Sequence, residues 1–157
     1  MSNRFLDKIS HVASTPLTQA DVYRKYHQFL KDMNLQPSDV WVGHGSSLTM
    51  YGLKEHTNDI DAGCNEQTMA LVMAKLHRKP LVFGIKDGYL EDNTVLLPIP
   101  EYDIDLHVER SRTPDQLEMV NGVNSHNLKT IMEQKQKLGR PKDLEAIRTI
   151  QDFIRSR

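Results

Sequence analysis

The sequence is short of several things that define protein classes. It has one cysteine, Cys64, in 157 residues, so it can form neither an intramolecular disulfide framework nor a cysteine-cluster zinc site. No apolar run approaches the roughly 18 residues needed to cross a bilayer. The opening MSNRFLDKIS lacks an apolar stretch followed by a small-residue cleavage site. The expectation is therefore a cytoplasmic protein with no membrane association. Neither sign of charge is in excess, since 20 Lys and Arg face 21 Asp and Glu. That balance removes the broad basic footprint of a duplex-DNA binder. One Trp, four Phe and five Tyr are scattered along the chain, and no basic platform interleaved with aromatics stands out for single-stranded nucleic acid. No repeat, low-complexity tract or Pro/Gly/Ser-rich linker divides the chain. What remains is one domain over 1–157, long enough to close a core without staples. Residues 1–15 carry no clear pattern and are expected to be loosely held.

The periodicity supplies the elements. Thr18 and Asp21 form a box-like cap ahead of Val22, Tyr26, Phe29, Leu30 and Met33, which fall at helical spacing. Residues 38–43 read as a strand entering a glycine-rich turn, and residues 46–51 as a brief helix ended by Gly52. Residues 59–64 alternate polar and apolar, and Asn65 caps a helix carrying Met69, Val72, Met73 and Leu76. Residues 81–85 and 94–99 read as a hairpin turning at Lys86-Asp87-Gly88. Residues 102–108 alternate again. Thr113-Pro114-Asp115-Gln116 reads as a helix start, and Ser125 as the cap of a further helix with Leu128, Ile131 and Met132 inward and Gly139 as its stop. Pro141 opens the last helix, with Leu144, Ile147, Ile150 and Ile154 on its apolar side. The methionines at 69, 73, 119 and 132 read as core filler. The expected class is α+β: four or five strands in a small mixed or antiparallel sheet, with helices mainly on one face.

Three constellations carry chemistry. Gly43-His44-Gly45-Ser46-Ser47 follows a strand and precedes a helix. Glycines let a ligand approach the backbone, and Ser46 and Ser47 offer hydroxyl donors to an anion. In Asp59-Ile60-Asp61, strand alternation puts both acids on one face, where a hard divalent cation would relieve their repulsion. In residues 102–108, the same parity puts Asp103, Asp105 and His107 on one face and Tyr102, Ile104, Leu106 and Val108 on the other. Two such strands side by side gather the carboxylates needed to hold two divalent metals around a phosphate. Arg140 and Lys142 flank Pro141 at a helix N-terminus, where the helix dipole disfavours cations, so an anionic partner is expected for them. His44 reads as a turn residue, Lys54 as a solvated loop lysine, and Cys64 as a small buried apolar residue.

Gly45-Ser46, twelve residues, then Asp59-Ile60-Asp61 resembles the signature of the DNA polymerase β-like nucleotidyltransferase superfamily. The flanking of Asp105 by Ile104 and Leu106 resembles that family's third carboxylate, with Asp103 as the alternate. Arg140-Pro141-Lys142-Asp143 looks like a segment common in small nucleotidyltransferases of the abortive-infection toxin type. The resemblance runs over residues 40–144. It implies a nucleotidyltransferase-like fold and Asp59, Asp61 and Asp105 as catalytic residues holding two Mg²⁺ or Mn²⁺ ions. Gly45, Ser46, Ser47, Arg140 and Lys142 would then bind the triphosphate of an NTP, ATP among them. An NMP would pass to an acceptor hydroxyl or phosphate, on a tRNA or other RNA end, a protein or a small molecule, with release of pyrophosphate. A homodimer or partner chain would complete so small a site. His44, where the family has an apolar residue, and the small Ala62-Gly63-Cys64 run depart from the pattern. The alternatives are a non-catalytic nucleotide- or partner-binding module on the same fold, and a metal-dependent hydrolase on another.

Overall fold

The computed structural model describes residues 15–83 and 94–157. The loosely held start and the Lys86-Asp87-Gly88 turn expected from the sequence fall outside those residues. Among the described residues, five α-helices accompany a single seven-stranded sheet, two or three strands more than the periodicity suggests.

Helix α1 (Gln19–Met33) begins at the expected capping box, in which the Thr18 hydroxyl accepts from the Asp21 N–H and the Asp21 carboxylate answers the Thr18 N–H. It buries Val22, Tyr26, Phe29, Leu30 and Met33. Strand β1 (Val40–Val42) leads through Gly43 into the short helix α2 (His44–Met50). Strand β2 (Ile60–Cys64) and helix α3 (Glu66–Leu76), capped by Asn65, follow. Strands β3 (Leu81–Phe83) and β4 (Thr94–Ile99) pair antiparallel, as expected of a hairpin. A 3₁₀ turn over Pro100–Tyr102 precedes β5 (Ile104–Val108).

The next stretch differs from the expectation. Thr113 and Gln116 do form a reciprocal cap, but it opens only one 3₁₀ turn, Pro114–Gln116. The chain then enters β6 (Leu117–Val120) and returns as β7 (Val123–His126). Asn121 and Gly122 both hold positive φ, 48° and 84°, the pair required by the tightest hairpin turn. Ser125 consequently lies inside β7, and Asn127 caps α4 (Leu128–Leu138) by accepting from the Thr130 N–H. Helix α5 (Pro141–Ser156) closes the chain, with Ile147 and Ile150 buried and Leu144 and Ile154 exposed. Met119, outward on an edge strand, is 56% exposed and is no core filler.

The sheet order is β3-β4-β5-β2-β1-β7-β6. It is mixed: β2 pairs parallel to β5 and β1 parallel to β7, while the other neighbours are antiparallel. Side chains alternate across it. Val40, Val42, Ile60, Ala62, Cys64, Ile104, Leu106 and Val108 join α1 and α3 in one buried cluster. Trp41, Asp61, Gly63, Asp105 and His107 take the opposite parity, so the polar chemistry collects on the reverse face. Among the described residues no helix is long and apolar enough to cross a membrane.

Ile104 is fully buried, one residue before an acid on the reverse face. Ile104→Ala leaves a cavity under the central strands and is expected to cost about 2–5 kcal/mol, read as a lower midpoint in urea denaturation.

Candidate functional site

The parallel register of β2 and β5 sets Asp61 directly beside Asp105. Asp59 lies one residue before β2. Carboxylate oxygens of Asp59, Asp61 and Asp105 all lie within 4.8 Å of one another. Asp105 is 1% exposed, while Asp59 and Asp61 are half-buried. Burial and the neighbouring charges of Asp59 and Asp105 push the Asp61 carboxyl well above the usual carboxylate range. An all-oxygen donor set under such mutual repulsion fits a hard divalent cation.

Asp103 does not join this cluster. It ends the 3₁₀ turn with φ 54°, a left-handed conformation that breaks the strand alternation relating it to Asp105. Its carboxylate pairs with Lys25 of α1 at 2.9 Å. Its carbonyl accepts from the Ile60 N–H at 2.8 Å, so it aligns the start of β2 through the backbone.

The two serines also take roles the sequence did not suggest. The fully buried Ser46 hydroxyl donates to the Asp59 carbonyl and accepts from the Asp61 N–H, both at 3.0 Å. One side chain on α2 thereby grips the backbone on both sides of Ile60. Ser47 Oγ, equally buried, donates to the Val42 carbonyl at 2.9 Å and accepts from Ser125 Oγ. Both hydroxyls are engaged inside the protein, where they fix the backbone beneath the acids. Gly43 completes the bracing, its N–H donating to the Asp61 carbonyl at 2.9 Å.

A cleft of about 300 Å³ opens beside Asp59 and Asp61. Gly45 and His44 line it. His44 holds φ 51°, an unusual conformation for a side chain larger than glycine's of the kind that gathers at functional sites. Burial, with the charges of His126 and His107, lowers the pKa of His44 to about 3, so its ring is neutral at physiological pH.

Four cations share the cleft: Lys54, Lys135, Arg140 and Lys142. Arg140 and Lys142 were read from the sequence; Lys135 was not, because an isolated lysine in a helix reads as solvated. Packing of α4 on α5 brings it in. Asp143, 1% exposed, accepts from Arg140 Nε at 2.6 Å and lies 3.6 Å from Lys135 Nζ. Cations near the start of α5 are thus accommodated by an internal carboxylate. Burial lowers the Lys135 pKa, assisted by its cationic neighbours and opposed by Asp143. A side chain on Gly45 would come within 3.2 Å of Thr57 Oγ1 and 3.3 Å of Lys54 Nζ, so glycine here leaves room beside both.

Matched against protein-family models, curated proteins and solved structures, the chain finds no counterpart, and the reading of the cleft rests on its own geometry.

A carboxyl with a raised folded-state pKa holds its proton more tightly when folded. Its contribution to stability therefore falls as pH climbs from the ordinary carboxylate range to the raised value. Relative to Asp61→Asn, the metal-free protein should lose stability through that window. At neutral pH the variant should melt no lower than the parent, yet lose the rise in Tm that Mg²⁺ or Mn²⁺ produces by mass action. A variant that melts well below the parent while keeping the metal effect would make Asp61 a structural residue.

Proposed function

We propose that this protein is a metal-dependent nucleotidyltransferase of the DNA polymerase β-like type, transferring an NMP from an NTP to an acceptor hydroxyl or phosphate. The observation that carries the reading is the meeting of two charge sets: three carboxylates converging within 4.8 Å, and four cations on a cleft shared with two of those acids. Carboxylates alone suit a metal; cations alone suit an anion. Their meeting in one cleft suits a metal–polyphosphate substrate.

Asp59, Asp61 and Asp105 would hold Mg²⁺ or Mn²⁺, two ions, which supply positive charge to the attacking and leaving oxygens of an in-line displacement. The acceptor oxygen forms a bond to the α-phosphorus. The bond from that phosphorus to the oxygen bridging it to the β-phosphate breaks, and pyrophosphate leaves. Asp105, the most buried acid of the three, is assigned to take the acceptor's proton. Arg140, oriented by Asp143, and Lys54, Lys135 and Lys142 bind the β- and γ-phosphates and neutralise charge that grows on the leaving group. The open backbone at Gly45 lets the phosphates lie close to α2. The acceptor class, whether an RNA end such as tRNA, a protein or a small molecule, belongs to a surface that a second copy or another chain would complete.

Incubation with NTPs labelled at the α-phosphate, Mg²⁺ or Mn²⁺ and a total cell extract should move label into one acceptor class. Asp61→Asn and Asp105→Asn should abolish transfer. Arg140→Gln should weaken NTP binding about tenfold to a hundredfold, the worth of a charged hydrogen bond at 1.5–3 kcal/mol, with a smaller effect on kcat. Metal-dependent NTP binding with no transfer to any fraction would instead favour a non-catalytic binding module.

A further inference from the structure

Behind the acids, on the same face of the sheet, lies a second polar cluster that the proposed chemistry does not use. Its centre is Glu109, 7% exposed. This residue extends β5 by one position, its N–H donating to the Cys64 carbonyl at 2.9 Å. Glu109 Oε1 accepts from Trp41 Nε1 of β1 at 2.7 Å. The same oxygen lies 3.0 Å from His126 Nε2 of β7 and 3.5 Å from His107 Nε2 of β5. The other oxygen accepts from Arg112, at 2.5 Å from Nη2 and 3.1 Å from Nε. A carboxylate so enclosed is costly unless fully paired, and here it is paired with side chains from three strands and the segment after β5. Space was cleared for it: a side chain on Gly63 would overlap both Glu109 and Trp41.

Two of these partners sit against different parts of the site. His107 alternates with Asp105 along β5 and faces Gly63 across the register. In that register it occupies the next position along from the Asp61–Asp105 pair, on the same face of the sheet. His126 packs against the glycine turn, where a side chain on Gly43 would come within 2.8 Å of its ring. The His126 ring also meets His44 edge-on, 6.2 Å between centroids.

We infer that Glu109 is a positioning residue with two arms, one through His107 to the acids of β2 and β5, and one through His126 to the Gly43–Gly45 backbone that lines the cleft. The inference rests on reading the cleft as a metal and polyphosphate site. Outer partners of metal-binding groups are generally worth 10–100-fold in affinity, and arms of different destination should fail in different assays.

The test uses the full chain with two probes, Mn²⁺ alone and inorganic tripolyphosphate alone, each followed by calorimetry, with Tm recorded for every variant. Glu109→Gln should weaken both probes about tenfold or more. If it does not fold, the single-arm variants decide. His107→Gln should weaken Mn²⁺ about tenfold and leave tripolyphosphate within twofold. His126→Gln should do the reverse. Variants that lower Tm while both affinities stay within twofold would make the cluster purely structural and overturn the inference, as would equal losses of both probes from each arm. If the parent binds neither probe, it is the reading of the cleft that fails.

Discussion

Three carboxylates within 4.8 Å of one another repel, and a chain that keeps them together must hold them by something other than their own contacts. Here the restraint is applied to backbone. Ser46 grips the peptide groups on both sides of Ile60, Gly43 binds the Asp61 carbonyl, and Asp103 offers its carbonyl to Ile60. The parallel pairing of β2 and β5 then sets Asp61 opposite Asp105. None of these bonds uses a carboxylate oxygen of the three acids. The ligand-bearing atoms are held in place while their oxygens remain turned toward one another, the condition for a preorganised site.

The same economy governs the basic side of the cleft. Lys135 on α4 and Arg140 at the cap of α5 carry like charges, and Asp143 beside both lets them line one cleft. A buried carboxylate therefore organises cations just as backbone bonds organise the acids. The two halves meet across Gly45, where the absence of a side chain leaves the turn clear of Lys54. The acids of the sheet and the cations of the cleft lie side by side, and a substrate that is itself a metal–anion pair would be met with the matching order of charges.

Much of the fold could be read from periodicity: α1, β2, α3 and the chemistry-bearing half of β5 lie where the alternation puts them. The parity of Asp61 and Asp105 within their own strands was legible too. Their adjacency was expected from the resemblance and is found, but periodicity alone does not fix it, because it depends on a parallel register between strands forty residues apart. Asp103 misled because strand parity was extended through a residue with positive φ, at the end of a turn started by Pro100. The β6–β7 hairpin carried its own signal in Asn121-Gly122, but the well-formed cap at Thr113 and Gln116 reads as a helix start. Capping residues show where a helix can begin and not how far it continues. Ser46 and Ser47 look like donors in any glycine turn; only the fold shows their hydroxyls turned inward. Glu109, after the end of a strand, had no local pattern to mark it.

Gly63, Trp41 and Glu109 have a consequence for how such a sequence can change over time. Any side chain at 63 would overlap the indole and the carboxylate together, and the indole N–H answers that same carboxylate. A side chain at 63 brings a collision, and loss of the Glu109 carboxylate takes away the acceptor of the indole N–H. They form one packed unit spread over three strands, and substitutions within it should come as matched sets. Descendants of this chain that abandon the polar cluster would be free at all three positions at once, so a bulky residue at 63 would mark a lineage in which the indole and the acid had already been given up.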